Sequence, residues 1–546
     1  MRLLMFISAL AILAGCTSKP TTTANYDVVP RPQSIEIQDP GTKGFVLKPS
    51  TKITYAQGDS VLRRNAELLA EYVKQMVGLD LEITDKPLKN NAIALSATLQ
   101  NDNPEAYELT VTSKLITIDG ASAAGNFYGI QTLRKSMPVQ QDCLVEFPSV
   151  VIADQPRFAY RGTHFDTARH FFPADSIKEY IDILALHNVN RFHWHLTDDQ
   201  GWHIEIKSRP ELVEKGAVRK GTMVGTDFGS NDSIPHGGYY THEQVRDIVK
   251  YAADRHITII PEIDMPGHMQ GALCAYPELG CTGGPYEVWM RWGISKDVLC
   301  AGNDSTYAFI EDVLGELADL FPSELIHIGG DECPKARWQE CPKCQAKIKE
   351  LGLKTDENGT AEQKLQSHFM KYASDYLATK GRRIIGWDEI LEGGAAPGAT
   401  IMSWRGTKGA MAAAKSGHDA ILTPAQYCYF DYVQADPTDE QLLSYATMLP
   451  IETVYSFEPI DTTLTAEEAK HILGAQANLW CEYIPTLSYA EYKLLPRLAA
   501  MSEVQWCEPN NKDFDQFMTR MRHMAEIYDA AGYNYAKFAF NQQDAQ

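Results

Sequence analysis

Residues 325–332 read LIHIGGDE: three aliphatic residues and a histidine lead into two glycines and then two adjacent carboxylates. This pattern predicts a buried strand that ends in a tight turn and presents acids at its mouth. Neighbouring strand residues normally point to opposite faces, so Asp331 and Glu332 would not usually serve one site. The glycines, however, permit unusual backbone angles, and both carboxyls can then turn toward one cavity. The alternative for an Asp-Glu pair alone is a solvated acidic turn.

Outward from this stretch, the chain alternates strand, loop and amphipathic helix between residues 156 and 505. Eight strands in this rhythm predict an α/β fold, a (β/α)8 TIM barrel with long insertions. The competing open, doubly wound sheet lacks support, because no Gly-x-Gly-x-x-Gly opens a helix. The predicted strands are 160–165, 191–196, 258–263, 325–328, 383–387, 400–404, 420–423 and 475–479. The predicted helices are 175–187, 243–255, 307–321, 362–379 and 489–502.

The segments that flank the barrel have different patterns. Residues 27–155 combine alternating strand-like runs with two helical segments, which predicts a smaller accessory α/β domain without evident catalytic residues. Residues 506–546 form a C-terminal tail that we expect to be helical at 514–531. A chain of 546 residues is too long for one ordinary core, so several domains are expected.

The first sixteen residues have the pattern of a targeting segment. Arg2 precedes an apolar run at 3–14, which is too short to span a bilayer, and LAGC at 13–16 resembles a bacterial lipoprotein signal. Cleavage there would leave Cys16 as a lipidated N-terminus, followed by a polar linker at 17–26. The alternative is an ordinary secretory peptide with an incidental cysteine. Both imply export, and lipidation would anchor the protein to a bacterial membrane, expected to be the outer one, as a periplasmic or cell-surface protein.

Net charge and cysteine content limit which binding partners and which cellular compartment are expected for this protein. With 71 acidic and 50 basic residues the chain carries a formal charge of −21, which argues against nucleic acid as a partner. Ten cysteines remain if Cys16 carries lipid. Three crowd one loop region and three the next, so disulfides are expected there, with free thiols or a zinc site as alternatives. Cys341-Pro-Lys-Cys344 with Cys333 nearby lacks an evident fourth zinc ligand in sequence.

Barrel chemistry occurs at the carboxyl ends of the strands, so the residues just after each predicted strand are the candidates for a site. Strands 5, 6 and 8 each end in a tryptophan, and three converging tryptophans beside acids indicate a box around a ligand. Aromatic faces with carboxylates, arginine and histidine are how a pyranose ring is bound, whereas the alternative is core packing of the tryptophans. The polar and aromatic residues at the eight strand ends are Asp166, Arg169, His170, Asp198, Asp199, Asp264, His268, Asp331, Glu332, Trp387, Asp388, Glu389, Trp404, Arg405, Tyr427, Tyr429, Asp431, Trp480 and Glu482.

Two further interpretations compete. His193-Trp194-His195 is similar to the metal pair of amidohydrolase barrels, but it lies on the second strand and lacks the His/Lys set that such sites need, so buried supporting histidines are favoured. A non-catalytic, surface-anchored sugar-binding lipoprotein would fit the aromatic box equally well. Glu332 separates a hydrolase from a binding protein, because only the hydrolase needs a carboxyl aimed at the glycosidic oxygen.

These residues, from about 30 to 505, resemble the family 20 glycoside hydrolases, the β-N-acetylhexosaminidases. The resemblance is carried by the motifs RG at 161–162, DTAR at 166–169, HWHLTDDQGW at 193–202, PGH at 266–268, HIGGDE at 327–332, GWDE at 386–389, SWRG at 403–406 and QANLWCE at 476–482.

The resemblance implies a retaining exo-β-N-acetylhexosaminidase that removes terminal non-reducing GlcNAc or GalNAc. In this mechanism the substrate's own acetamido oxygen attacks the anomeric carbon and forms an oxazolinium intermediate. It further implies that Glu332 is the acid/base, that Asp331 stabilises the acetamido nitrogen, and that Tyr429 holds the acetamido oxygen. The remaining implied site residues are Trp387, Trp404 and Trp480 around the methyl group, Arg161, Asp431 and Glu482 on the outer hydroxyls, and Asp198 and His268 beside Glu332.

The resemblance implies neither a metal nor a cofactor. The expected partners are carbohydrates: β-linked N-acetylhexosaminides of glycans, chitin oligosaccharides or peptidoglycan fragments. The sequence leaves open the choice between GlcNAc and GalNAc, the natural glycan and the oligomeric state.

Overall fold

The computed structural model describes residues 20–38, 41–435 and 445–540. The signal segment and Cys16 therefore lie outside the described residues, as do 17–19 of the linker and 541–546 of the tail. Thr21–Thr23, within the stretch expected to be a linker, forms a strand that pairs in parallel with Leu144–Phe147. No helix within the described ranges combines the length and the apolarity needed to cross a bilayer.

The N-terminal domain is a mixed seven-stranded sheet with two helices packed on it. From one edge to the other, its strands are Ser34–Ile37, Val150–Asp154, Tyr107–Val111, Leu115–Gly120, Ala92–Ser96, Lys52–Thr54 and Glu82–Thr84. The helices are Ser60–Val77, capped by the Asp59 carboxylate, and Ala123–Ser136. A three-stranded sheet combines Thr21–Thr23, Leu144–Phe147 and Phe45–Leu47.

The second domain is a closed barrel of eight parallel strands, which confirms the predicted TIM barrel. Each strand pairs with the next along the chain, and the last pairs with the first. The eight barrel strands are Tyr160–Asp166, Arg191–His195, Thr258–Glu262, Leu325–His327, Arg383–Trp387, Thr400–Ser403, Ala420–Leu422 and Ile472–Ala477. The principal helices outside them are Ala174–Leu186, His242–Ala253, Asp304–Leu320, Pro342–Glu350, Ala361–Thr379, Lys408–Lys415, Leu487–Leu494 and Arg497–Trp506.

Short strands, helices and turns complete the loops around the barrel. The short strands are Thr197–Asp198, Gly201–Trp202, Val218–Arg219, His236–Gly237, Tyr432–Val433 and Tyr445–Met448. The short helices are Glu211–Gly216, Gln270–Ala275, Ala336–Glu340, Ala425–Cys428, Ile451–Ser456 and Ala466–Ala469, with 3-10 turns at Pro277–Leu279, Asp388–Leu391, Pro509–Asn511 and Lys537–Phe540.

The predicted single helix at 489–502 is wrong. The structure has two helices, Leu487–Leu494 and Arg497–Trp506, separated by Leu495 and Pro496. Proline has no N–H to donate and its ring clashes with the preceding turn, so the helical hydrogen bonds cannot continue through residue 496. The apolar spacing on both sides is helical, which is why the pattern alone joined them.

The C-terminal helix Phe514–Ala531 has the bounds expected from the sequence and packs against both domains. The Tyr528 hydroxyl lies 2.7 Å from His187 Nε2 at the end of the first barrel helix, and Arg520 forms an ion pair with buried Glu503 at 2.7 Å. This helix is therefore part of the folded body.

Candidate active site

The turn after the fourth barrel strand brings both acids to one cavity. Asp331 and Glu332 line the same space at the carboxyl end of the barrel, as the glycine argument predicts. Gly329 and Gly330 have φ of +65° and +101°. A β-carbon on Gly329 would lie 1.7 Å from Asp264 Oδ1, so no larger residue fits there. Glu332 itself has a φ of +43°, a conformation that is uncommon for a residue with a side chain and clusters at functional sites.

The cavity has a volume of about 170 Å³ and is lined by aromatic rings and ionisable groups. The rings of Trp387 and Trp480 are 5.8 Å apart, and Trp404 stacks with Tyr429 at 6.2 Å. The three tryptophans thus converge as predicted. The complete lining is Arg169, Asp331, Glu332, Trp387, Trp404, Tyr429, Asp431, Tyr432, Tyr445, Trp480 and Glu482.

Burial raises the pKa of three of the groups that line the cavity. Burial and the charge of Asp264 raise the pKa of Asp331 well above its usual value. Burial and the neighbouring Glu482 raise the pKa of Asp431 to about 8. Burial also raises the pKa of the Tyr429 phenol well above 10, so its hydroxyl remains a hydrogen-bond donor near neutral pH.

Some buried polar atoms in the cavity wall have no partner within the part of the chain that the structure describes. Asp331 Oδ1 and Glu482 Oε2 are buried without a hydrogen bond to any described residue. Such atoms are rare in native proteins, because leaving them unpaired costs about 1–3 kcal/mol each. They are the groups that a polar ligand would satisfy.

His268 links Asp198 to Glu332. Its Nδ1 lies 3.1 Å from Asp198 Oδ1, and its Nε2 lies 3.5 Å from Glu332 Oε2. Burial opposes a charged imidazole, but Asp198 and further hydrogen bonds raise the pKa of His268 well above its ordinary value. His268 is therefore the residue next to Glu332, and Asp198 acts on Glu332 through the His268 imidazole.

Beneath the cavity lies a buried carboxylate, Glu262, which was not among the residues predicted from the sequence. Its oxygens lie 2.8 Å from His193 Nε2, 2.5 Å from His195 Nδ1 and 2.9 Å from His327 Nδ1. Trp387 Nε1 donates to the same carboxylate at 2.9 Å. His195 also reaches Asp198 at 3.0 Å, so the network connects Glu262 to the residues beside Glu332. A glutamate that ends an otherwise apolar strand, IIPE at 259–262, was the available signal.

This network also bears on the alternative that His193 and His195 form a metal pair like that of amidohydrolase barrels. His193, Glu262 and His327 could together hold a metal ion, as could His164, His195 and Glu262. Their nitrogen and oxygen atoms, however, are already at hydrogen-bond distance from one another. Two further groups, Asp198-Asp199-His268 and Asp264-His268-Asp331, have ligand atoms close enough to hold an ion. In the first of them His268 is already paired with Asp198, so these histidines position acids, as the sequence favoured.

The prediction that Arg161 grips the sugar is wrong. Arg161 is the second residue of the first barrel strand, roughly 16 Å along that strand from Asp166 at its active-site end. Its guanidinium instead forms two hydrogen bonds to Glu105 of the N-terminal domain, at 2.6 and 3.1 Å, and is 1% exposed. It therefore joins the two domains.

Arg169, which the sequence placed just after this strand, provides the arginine of the cavity. It pairs with Asp198 at 2.9 Å and with Asp166 at 3.2 Å, and it lies 4.9 Å from the Trp480 ring. Tyr445, which was not predicted from the sequence, has its hydroxyl 3.2 Å from Glu482 Oε1. Tyr445 comes from a long insertion that shows no periodic pattern, so no sequence signal marked it.

We expect Arg161→Met to reduce stability and to leave the sugar site intact. Removing one partner of a buried, hydrogen-bonded ion pair strands the other charge and typically costs about 3–5 kcal/mol. Thermal unfolding should show a lower midpoint, while KM of the folded enzyme stays at the wild-type value. Arg169→Met is the matched comparison and should raise KM. A raised KM in Arg161→Met with an unchanged midpoint would restore Arg161 to the site.

The barrel, with its acid pair inside an aromatic cavity at the carboxyl ends of the strands, has the arrangement expected of a glycoside hydrolase. Two family models cover the chain: "Glycosyl hydrolase family 20, domain 2" matches residues 25–155, and "Glycosyl hydrolase family 20, catalytic domain" matches residues 158–509. The chain belongs to glycosyl hydrolase family 20 and is a hydrolase of the β-hexosaminidase group.

Three relatives illustrate the similarity. A β-hexosaminidase of Porphyromonas gingivalis is 42% identical over 97% of this chain and 67% of its own length. The structure of a family 20 β-N-acetylhexosaminidase from Streptomyces coelicolor superimposes with a TM-score of 0.79 at 30% identity, covering 94% of this chain and 97% of the other. The structure of an exo-β-N-acetylglucosaminidase from Vibrio harveyi in complex with N-acetylglucosamine gives a TM-score of 0.80 at 32% identity, covering 95% and 79%.

Proposed function

We propose that this protein is a retaining exo-β-N-acetylhexosaminidase that hydrolyses terminal β-linked GlcNAc or GalNAc with the help of the substrate's acetamido group. The observation that carries the proposal is the shared cavity of Asp331, Glu332, Tyr429 and the three tryptophans. Two acids that are adjacent in sequence can address neighbouring atoms of one sugar. Similarity to the Vibrio harveyi enzyme with bound N-acetylglucosamine supports the substrate class.

In the first step, Glu332 donates its proton to the glycosidic oxygen while the acetamido carbonyl oxygen bonds to the anomeric carbon and the leaving alcohol departs. Asp331 accepts a hydrogen bond from the acetamido nitrogen, which becomes positively charged in the oxazolinium ion. In the second step, water attacks the anomeric carbon and Glu332 takes a proton from that water. The oxazolinium ring opens, and the sugar is released with the configuration of its anomeric carbon retained. An internal nucleophile of this kind can lower the barrier by about 7–11 kcal/mol when it is well oriented.

The protein side chains around the acetamido group fit this assignment. Tyr429 remains protonated and can donate to the acetamido oxygen. Trp387, Trp404 and Trp480 supply apolar faces for the methyl group. Arg169, Asp431 and Glu482 are the polar groups available to the outer hydroxyls. A typical retaining hydrolase instead places a nucleophilic carboxylate about 5–5.5 Å from the acid across the ring, whereas Asp331 is buried against Asp264.

The experiment that tests the mechanism compares two chromogenic substrates with the same leaving group, the β-N-acetylglucosaminide and the plain β-glucoside. We expect fast cleavage of the first and almost none of the second, because only the first carries the nucleophile. Equal cleavage of both would mean a protein nucleophile and would overturn the role of Asp331. Binding of N-acetylglucosamine without cleavage would favour the sugar-binding lipoprotein, which membership of a hydrolase family argues against.

The proposal includes the cellular location of the protein. The LAGC sequence at 13–16 supports export and a lipid anchor on Cys16 at a bacterial membrane, with the outer membrane expected. The substrates would then be glycans, chitin oligosaccharides or peptidoglycan fragments in the periplasm or outside the cell. Labelling with a radioactive fatty acid should mark the wild type and leave Cys16→Ser unlabelled.

A further inference from the structure

Four cysteines from two different loops converge at the carboxyl end of the barrel. Cys281 and Cys300 come from the loop after the third barrel strand, and Cys341 and Cys344 from the segment after the fourth. The sulfur atoms of Cys281 and Cys344 are 3.8 Å apart, those of Cys300 and Cys341 3.7 Å, and those of Cys300 and Cys344 3.6 Å. All four lie within 4.8 Å of one another. None of them lines the substrate cavity.

This arrangement corrects the prediction of disulfides in these loops. The six cysteines that crowd these loops, Cys274, Cys281, Cys300, Cys333, Cys341 and Cys344, form no disulfide in the structure. The closest sulfurs of the cluster are far beyond the S–S bond length of about 2.05 Å. Cys300 has two sulfur neighbours at nearly equal distance, so the cluster shows no preferred pair.

The spacing is that of a tetrahedral thiolate site for one metal ion. With Zn–S bonds of about 2.3 Å, neighbouring sulfurs of a regular tetrahedron are about 3.8 Å apart. The observed distances of 3.6 to 3.8 Å match this edge. An iron–sulfur cluster places several metal ions between its cysteines and needs more widely spaced sulfurs.

The surrounding backbone holds the four ligands in place. Cys341 begins the helix Pro342–Glu350, so Cys344 lies one turn into it, in the Cys-x-x-Cys spacing of structural zinc sites. A β-carbon on Gly302 would lie 2.2 Å from the carbonyl carbon of Lys343, which shows how closely the two loops pack. Trp338 Nε1 donates to the Leu299 carbonyl at 2.9 Å across the same junction.

The burial of the four cysteines is that of a closed site. Cys300, Cys341 and Cys344 are buried, and Cys281 is partly exposed. Four sulfurs in this space cannot all be thiolates without a cation between them, because like charges this close repel strongly. Neutral thiols packed together would gain only weak hydrogen bonds. A thiolate-preferring divalent cation satisfies all four at once.

We propose that Cys281, Cys300, Cys341 and Cys344 bind one zinc ion that ties together the two loops on either side of the catalytic acid. The segment that ends at Cys344 begins with Asp331 and Glu332. The loop that carries Cys281 and Cys300 follows His268, which contacts Glu332. With four protein ligands the ion has no open position for water or substrate, so its role is structural.

The first test measures the purified full-length protein, prepared without chelators or added metal. We expect elemental analysis to find one zinc per chain. We also expect the number of reactive thiols, counted in denaturant with a chelator but no reductant, to equal the number counted after full reduction. After exchange with cobalt, the protein should show the intense absorption of tetrahedral cobalt thiolate. A protein without stoichiometric metal would overturn the proposal. Four thiols that react only after reduction would overturn it in favour of two disulfides. Stoichiometric iron would overturn the choice of zinc.

Variants locate the ion. Cys344→Ser should lose the zinc and unfold at a lower temperature, whereas Cys274→Ser should keep one zinc per chain. Cys274 is the matched control, because it belongs to the same loop but its sulfur lies near the Lys215 carbonyl, outside the cluster. If Cys344→Ser does not fold, the metal content, cobalt spectrum and thiol count of the wild type still decide. Zinc retained by folded Cys344→Ser would place the ion elsewhere.

Discussion

Glu332→Gln should lower kcat by about 10²–10⁴-fold while KM changes little, because the amide cannot donate a proton to the departing oxygen. The size of the carboxyl is retained, and its contact to His268 is 3.5 Å, so the cavity should keep its shape. The loss should be larger for a natural disaccharide than for an aryl glycoside with an acidic leaving group, which departs with less help.

The control for this variant is Glu340→Gln, the same substitution at an exposed position on the same loop. It should have wild-type kinetics with both substrates. A near-normal kcat in Glu332→Gln, or an equal loss for good and poor leaving groups, would remove Glu332 from the role of proton donor.

Asp331→Asn should lower kcat/KM for N-acetylated substrates by about 10²–10³-fold, or ~3–4 kcal/mol. This is the loss expected when a buried partner to the charge of a transition state is removed. Asp331 Oδ2 lies 3.8 Å from His268 Nε2, and Asp264 belongs to the same buried group of side chains. The neutral amide keeps that packing but cannot balance the positive oxazolinium nitrogen.

The affinity for an uncharged sugar product should change much less than the affinity for a positively charged oxazolinium analogue. This difference separates charge stabilisation from simple binding, and equilibrium binding of both ligands to Asp331→Asn measures it. If kcat/KM falls by less than tenfold, another group must balance the acetamido charge.

The zinc proposal and the proposed catalytic mechanism can be refuted independently of each other. A zinc-free protein that cleaves only the N-acetylated substrate would leave the mechanism standing and remove the cysteine site. A protein that holds one zinc and cleaves both substrates equally would do the reverse.

The order of elements could be predicted from the sequence because the local patterns are strong. Each barrel strand is a short apolar run bounded by polar or glycine residues, and residues that come after such runs meet at one end of a parallel barrel. That rule predicts that Asp331, Glu332, Trp387, Trp404 and Trp480 share one cavity, as they do in the structure. Gly329 and Gly330 allow both acids to face it.

Tertiary structure decided the contacts between segments that are distant in the chain. Glu105, which precedes Arg161 by 56 residues in the chain, binds the Arg161 guanidinium. Arg161 therefore lies at the domain interface and not in the sugar site. Cys281 and Cys344, 63 residues apart, meet only because the loops after the third and fourth strands are neighbours in the barrel. Periodicity within a strand or helix reports which face is buried, but it carries no information about which distant side chain covers that face. The sequence by itself therefore determined the barrel and its acid pair, and the fold alone determined which arginine lines the sugar cavity and which cysteines form the four-sulfur cluster.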